Sequence, residues 1–123
     1  MNKIDDNEMP DGVALTARVA ETIFNWLPLT QDDVTIGIKH GILPNYSESN
    51  GDAIEILNKF AERGKSISLI WKHNLGDSYF VASNYDDESM PLDGWTFEDE
   101  MVRVEATTIA LALCRVGLRL WSK

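Results

Sequence analysis

Three stretches of the chain repeat apolar residues at spacings of three and four, and four shorter ones alternate or cluster them. The first spacing is that of helices with one buried face, and the second is that of strands. Leu15, Val19, Ile23 and Trp26 share a face of a helix expected from residue 11 to residue 26. Ala14, Ala17 and Ala20 raise its helix propensity. Pro28 closes it, because the residue before a proline avoids helical dihedrals. In the next segment Val34, Ile36 and Ile38 alternate with Thr35, Gly37 and Lys39, which predicts a short strand with an edge or bulge at Gly37. A loop follows through Gly41, Pro44, Asn45, Ser47 and Ser49.

A second helix opens on Ser49 and Asp52 in a capping-box-like arrangement and runs to Arg63. Its apolar side is Ala53, Ile56, Leu57, Phe60 and Ala61, and Gly64 stands where a left-handed cap is needed. Residues 66 to 73 and 79 to 83 then read as a hairpin around Asn74-Leu75-Gly76-Asp77. Ile67, Leu69 and Trp71 fall on one face, so Trp71 is expected to be buried. Met101 to Glu105 supplies a third strand through Val102 and Val104. The last helix is expected from Ala106 or Thr107 to Trp121, with Ala106, Ile109, Ala110, Leu113, Val116 or Gly117, and Leu120 as its stripe.

The expected fold is therefore α+β, in the order α-(β)-α-β-β-β-α. A three- to four-stranded antiparallel meander packs with three amphipathic helices, because each stripe needs a partner. Residues 11–123 form one domain, and residues 1–10 are expected to be a flexible acidic tail.

Charge changes the picture next. The chain of 123 residues carries 11 basic and 20 acidic residues, a formal net charge of −9. Broad contact with nucleic acid or with an anionic membrane needs clustered Lys and Arg, so neither is an expected partner. Seven of the carboxylates fall in residues 84 to 100: Asp86, Asp87, Glu88, Asp93, Glu98, Asp99 and Glu100, without one Lys or Arg among them. Trp95 and Phe97 are embedded in the run, with Met90, Pro91 and Leu92. Such a run is ordinarily a solvated surface. Its aromatic residues open a second reading, a docking surface whose acidic rim steers a basic partner. Both aromatics could equally pin the loop to the core, and Trp95, Phe97 and Asp99 alternate as a strand leading into Met101 would.

Catalytic chemistry finds little footing. Cys114 is the only cysteine, which excludes an intramolecular disulfide and fits a reducing compartment. Its place in the last helix suggests an inert packing thiol. His40 and His73 lack any metal-ligand spacing, no glycine-rich phosphate loop occurs, and no serine sits in a nucleophile elbow. No catalytic residue, metal or cofactor is expected. Arg115, Arg119 and Lys123 lie four apart near the chain's end. They complement the helix dipole, and Arg115 with Arg119 is the alternative anion-binding pair. The N-terminal Met1 to Met9 lacks the basic start and apolar stretch of a signal peptide, and no apolar run is long enough to span a bilayer. The cytoplasm is the expected location.

Three ordered segments resemble the phage ABA-sandwich domain, a family of small, mostly prophage-encoded proteins. They are Met9-Pro10-Asp11-Gly12 with Ala17-Arg18-Val19-Ala20-Glu21 and Asn25-Trp26; Leu43-Pro44-Asn45-Tyr46-Ser47 with Asp52-Ala53-Ile54; and Glu105-Ala106-Thr107 with Ala110-Leu111-Ala112-Leu113-Cys114-Arg115. The chain departs from the family by an insertion around residues 29 to 42 and by its long acidic loop. The resemblance implies a fold and a phage setting, and assigns no catalytic residue. With the charge pattern it leads to the expectation of a non-enzymatic accessory protein. Such a protein binds a host or phage protein with a basic surface, as an inhibitor of host antiphage defence. An oligomeric nucleotide-binding sponge and a structural, morphogenetic role are the alternatives, and a homo-oligomer is compatible with each.

Overall fold

The computed structural model describes Gly12 to Trp121. The expected acidic tail at residues 1–10 and Lys123 of the basic row lie outside the described residues. Seven elements follow in order: α1 (Val13–Ile23), α2 (Gln31–Lys39), α3 (Asn50–Glu62), β1 (Ser68–Asn74), β2 (Asp77–Ser83), β3 (Arg103–Ala106) and α4 (Ile109–Trp121). The class is α+β, and the three strands form an antiparallel meander in the order β1-β2-β3.

The core is organised around α4. Only Arg115 and Arg119 interrupt its apolar sequence. Nine of its residues are buried, so it is covered nearly all round rather than along one stripe. On one side it meets α1 and α3, and on the other β2 and β3. Gly117 sits at the closest approach: a Cβ there would stand 3.0 Å from both Ile23 Cδ1 and Ile56 Cγ2, so a larger residue would need these side chains to shift by a few tenths of an ångström. Leu15, Val19 and Ile23 of α1 and Ala53, Ile56 and Phe60 of α3 fill the interface, as their spacing predicts.

Several boundaries differ from the expectation. Helix α1 stops at Ile23, well before Pro28. Asn25 adopts a left-handed φ of 58°, and the Trp26 amide donates back to the Ala20 carbonyl at 3.1 Å. That pattern caps the helix, with asparagine in the place more often held by glycine. Trp26 therefore lies beyond the helix and is only partly buried.

The expected strand around Val34, Ile36 and Ile38 is instead the helix α2. Thr30 accepts from the Asp33 amide and the Asp33 carboxylate accepts from the Thr30 amide, each at 3.1 Å, which completes a capping box. Val34 and Ile38 lie one turn apart and face inward, while Ile36 is left exposed. Alternation over five residues fits both periods, and the cap decides between them.

The other expectations hold more closely. Ser49 caps α3 and Gly64 follows its end with φ 72°. The hairpin turns through Leu75 and Gly76, at φ 51° and 89°. Strand β3 runs from Arg103 to Ala106 rather than from Met101 to Glu105, so Ala106 belongs to the sheet and not to the helix stripe, and α4 starts at Ile109 rather than at Ala106 or Thr107.

The loop before α3 is tied to the start of α1 by buried hydroxyls. Thr16 Oγ1 and Ser47 Oγ lie 2.7 Å apart, Ser47 Oγ–H donates to the Gly12 carbonyl at 2.9 Å, and the Ser47 amide donates to Thr16 Oγ1 at 3.2 Å. Tyr46 stacks on Phe24 with centroids 4.4 Å apart. Two of the segments that carry the family resemblance thus meet here, in a structural role.

Candidate functional site

The acidic run is a built loop rather than a slack connection. Asn84 is buried at its start and closes it from both ends. Its side-chain amide donates to the Glu100 carbonyl at 2.8 Å, its Oδ1 accepts from the Val102 amide at 2.9 Å, and its backbone carbonyl accepts from the Leu92 amide at 3.0 Å. One side chain thereby spans a loop whose closure would otherwise be entropically costly.

The middle of the loop docks on the link between α3 and β1. The Ser66 amide donates to the Asp93 carbonyl at 2.8 Å, and Trp95 Nε1–H donates to the Ser66 carbonyl at 2.8 Å. The Trp95 ring tilts against Phe60, with centroids 6.1 Å apart, and Lys65 Nζ lies 4.4 Å above its centre. Between them Gly94 sits at φ 88°. A Cβ at this position would overlap the Gly64 carbonyl oxygen and stand 2.7 Å from Lys65 Cα. Trp95 is 7% exposed and is an anchor. Phe97, two residues on, is 71% exposed and anchors nothing. The alternation of Trp95, Phe97 and Asp99 does not produce a strand: Thr96 Oγ1 accepts from the Glu98 amide at 3.2 Å, and Asp99 Oδ2 accepts from the Thr96 amide at 2.8 Å, closing a turn.

The seven carboxylates do different things. Asp86 Oδ1 accepts from the amides of Glu88 at 2.9 Å and Met90 at 3.0 Å, folding the first bend. Asp99 closes the second. Glu100 is half-buried and pairs with Arg119 at 2.6 Å. Asp87, Glu88, Asp93 and Glu98 are exposed, as are Met90 and Phe97. The loop therefore presents four outward carboxylates and two apolar side chains on a frame that its other residues hold.

A shallow depression of about 390 Å³ lies beside the docked segment, lined by Leu57, Ala61, Lys65, Ser66, Ile67 and Asp93. It brings together one ammonium and one carboxylate, with apolar walls. Arg119 is already paired with Glu100, and Arg115, one turn earlier, is partly buried. The two arginines do not line the depression.

Reactive groups do not converge among the described residues, where no cluster of three His, Cys, Asp or Glu could hold a metal ion. Cys114 Sγ donates to the Tyr46 carbonyl at 3.1 Å, and burial pushes its thiol from 9.0 up to about 12. Burial, reinforced by Asp52, Glu55 and Cys114, pushes the Tyr46 phenol from 10.0 to about 12. Both groups stay neutral, which suits packing and not nucleophilic attack. His73 Nδ1 lies 3.0 Å from Ser78 Oγ, a pairing the sequence reading missed. It spans an exposed hairpin rather than a cleft.

Trp71 corrects an expectation. It shares a face with Leu69, Phe80 and Ala106 through the strand register, yet it is 58% exposed. Its ring stacks on His73 at 5.6 Å. Among the described residues no helix covers the core-facing side of the hairpin's far end. Among the described residues no helix is long and apolar enough to cross a membrane. Comparisons with protein-family models, with curated proteins and with solved structures find no match to this chain.

Proposed function

We propose that this protein is a non-enzymatic phage or prophage accessory protein. It works in the cytoplasm of a bacterial host by binding a host or phage protein with a basic surface, as an inhibitor of antiphage defence. The observation that carries the binding reading is the division of labour in the acidic loop. Asn84, Gly94 and Trp95 hold it in place, while the carboxylates of Asp87, Glu88, Asp93 and Glu98 and the ring of Phe97 are exposed. A pre-ordered acidic surface with an aromatic residue in it loses little entropy on docking and attracts basic partners at long range. Proteins that block nucleic-acid-binding clefts use the same chemistry, placing carboxylates where phosphates would lie. The phage setting and the anti-defence role rest on the family resemblance of the three sequence segments.

The test compares the wild type with a variant carrying Asp87→Asn, Glu88→Gln, Asp93→Asn, Glu98→Gln and Phe97→Ala. Immobilised wild type is expected to retain a basic protein from host lysate at low salt and to release it as salt rises. The variant, with an unchanged circular dichroism spectrum, is expected to retain none. Equal retention by both proteins, or no retained protein, would remove the reading.

A further inference from the structure

Strand β1 stands at the edge of the sheet. Its residues Ser68–Asn74 pair with β2 along one side, and among the described residues no strand pairs with the other. An open edge offers a row of backbone donors and acceptors to another strand. Exposed edges are usually blunted by shortness, a bulge, proline or charge. Here the register to β2 is unbroken over all seven residues, there is no proline, and Lys72 is the one formally charged residue.

The charge of the surrounding segment selects the partner. Residues 64 to 76 contain no Asp or Glu, although the chain has 20 of them. Two copies of a chain with net charge −9 repel each other, and least where carboxylates are missing. This edge is such a place, and it carries exposed Trp71 and Ile70.

We propose that the β1 edge pairs with β1 of a second copy in antiparallel register, joining two three-stranded sheets into one sheet of six. A two-fold axis normal to the sheet keeps each side chain on its own face. Paired residues must then be an even number apart, so the axis passes through one residue. An axis at Lys72 sets two ammonium groups against each other. An axis at Ile70 leaves the far end of β1 unpaired. An axis at Trp71 pairs all seven residues: Trp71 meets Trp71 of the second copy, Ile70 meets Lys72, and Leu69 meets His73. Aromatic pairs are favourable across strands, and no like charges are directly opposed. The contact also covers Trp71, which the helices leave open. This pairing is independent of the acidic loop and of the function proposed for it.

Sedimentation equilibrium of the full chain tests the proposal, together with Trp71→Glu and single-cysteine variants made in a Cys114→Ala background. Wild type is expected to sediment as a dimer. Trp71→Glu sets two carboxylates face to face at the axis and is expected to weaken dimerisation about 10-fold or more, with an unchanged circular dichroism spectrum. Trp71→Cys is expected to form an interchain disulfide under mild oxidation, since directly opposed Cβ atoms lie within disulfide reach. Ile70→Cys is expected not to, because its counterpart is Lys72. A monomer at about 100 µM, where even a weak specific dimer with a Kd near 10 µM would be largely formed, would overturn the proposal. So would a dimer unaffected by Trp71→Glu, or one cross-linked as readily through Ile70→Cys.

Discussion

The acidic loop and the β1–β2 hairpin reverse the usual association of regular structure with burial. The loop has only one isolated bridge, between Tyr85 and Pro91, yet it contains two of the best-anchored residues in the molecule, Asn84 and Trp95. The hairpin is fully paired, yet its far end carries a tryptophan in solvent and, at the turn, Leu75 at 96% exposure. Backbone pairing satisfies the main chain wherever two strands meet. Burial of side chains depends on what lies above the sheet, and α4 reaches only part of it.

The largest expected effect tests the anchored half of that comparison. Trp95→Ala removes an indole packed on Phe60 and its bond to Ser66, and is expected to cost about 3–5 kcal/mol in urea unfolding. Gly94→Ala should cost about 2–3 kcal/mol, from a left-handed φ and a Cβ set against the Gly64–Lys65 backbone. Asn84→Ala leaves the Val102 amide and Glu100 carbonyl without their partner and should cost about 2 kcal/mol. If any of these three changes leaves the urea midpoint in place, the loop is not built as described.

Alkaline pH acts on neither region but on the buried Tyr46–Cys114 contact of the core. Tyr46 and Cys114 have folded pKa values raised above those of the unfolded chain, so their contribution is complete below about pH 9. Above that, the unfolded chain loses these protons first, and stability falls as pH rises toward about 12. Urea midpoints measured from pH 8 to 11 should fall steadily, and Cys114→Ala should flatten part of the slope. The smallest effect belongs to the hairpin. Trp71→Ala, measured on the dissociated monomer, should change stability by less than about 0.5 kcal/mol. A larger loss would mean that the exposed tryptophan is structural after all.

Much of the fold was legible because the helices carry long, consistent periods. Leu15, Val19 and Ile23, and likewise Ala53, Ile56 and Phe60, could belong only to buried helix faces. The Asn-Leu-Gly-Asp turn marked the hairpin. The segment around Val34 misled because five alternating residues suit either period, and the deciding Thr30–Asp33 box lay just outside the alternation. Of the loop, the sequence showed its charge and its aromatic residues. It did not show that Trp95 is an anchor and Phe97 is not, since both sit in the same acidic context two residues apart. Gly94 beside Trp95 was the one visible signal of a close backbone approach. Asn84 gave none, because a lone asparagine before an acidic run reads as solvent-facing.

By itself the sequence determined the class of fold, the order of most elements and the gathering of negative charge into residues 84 to 100. These depend on near neighbours along the chain, where periodicity, caps and turns act. Only the tertiary structure decided that α4 is enclosed on both sides, that the acidic loop is clamped by Asn84 and Trp95, and that Trp71 stands in solvent. Those outcomes depend on which surfaces meet across 16 to 60 residues of chain, as the bonds from Asn84 to Glu100 and from Asn50 to Ala110 illustrate. Local patterning carries no record of such distances, because burial is a property of the finished packing and not of the residue.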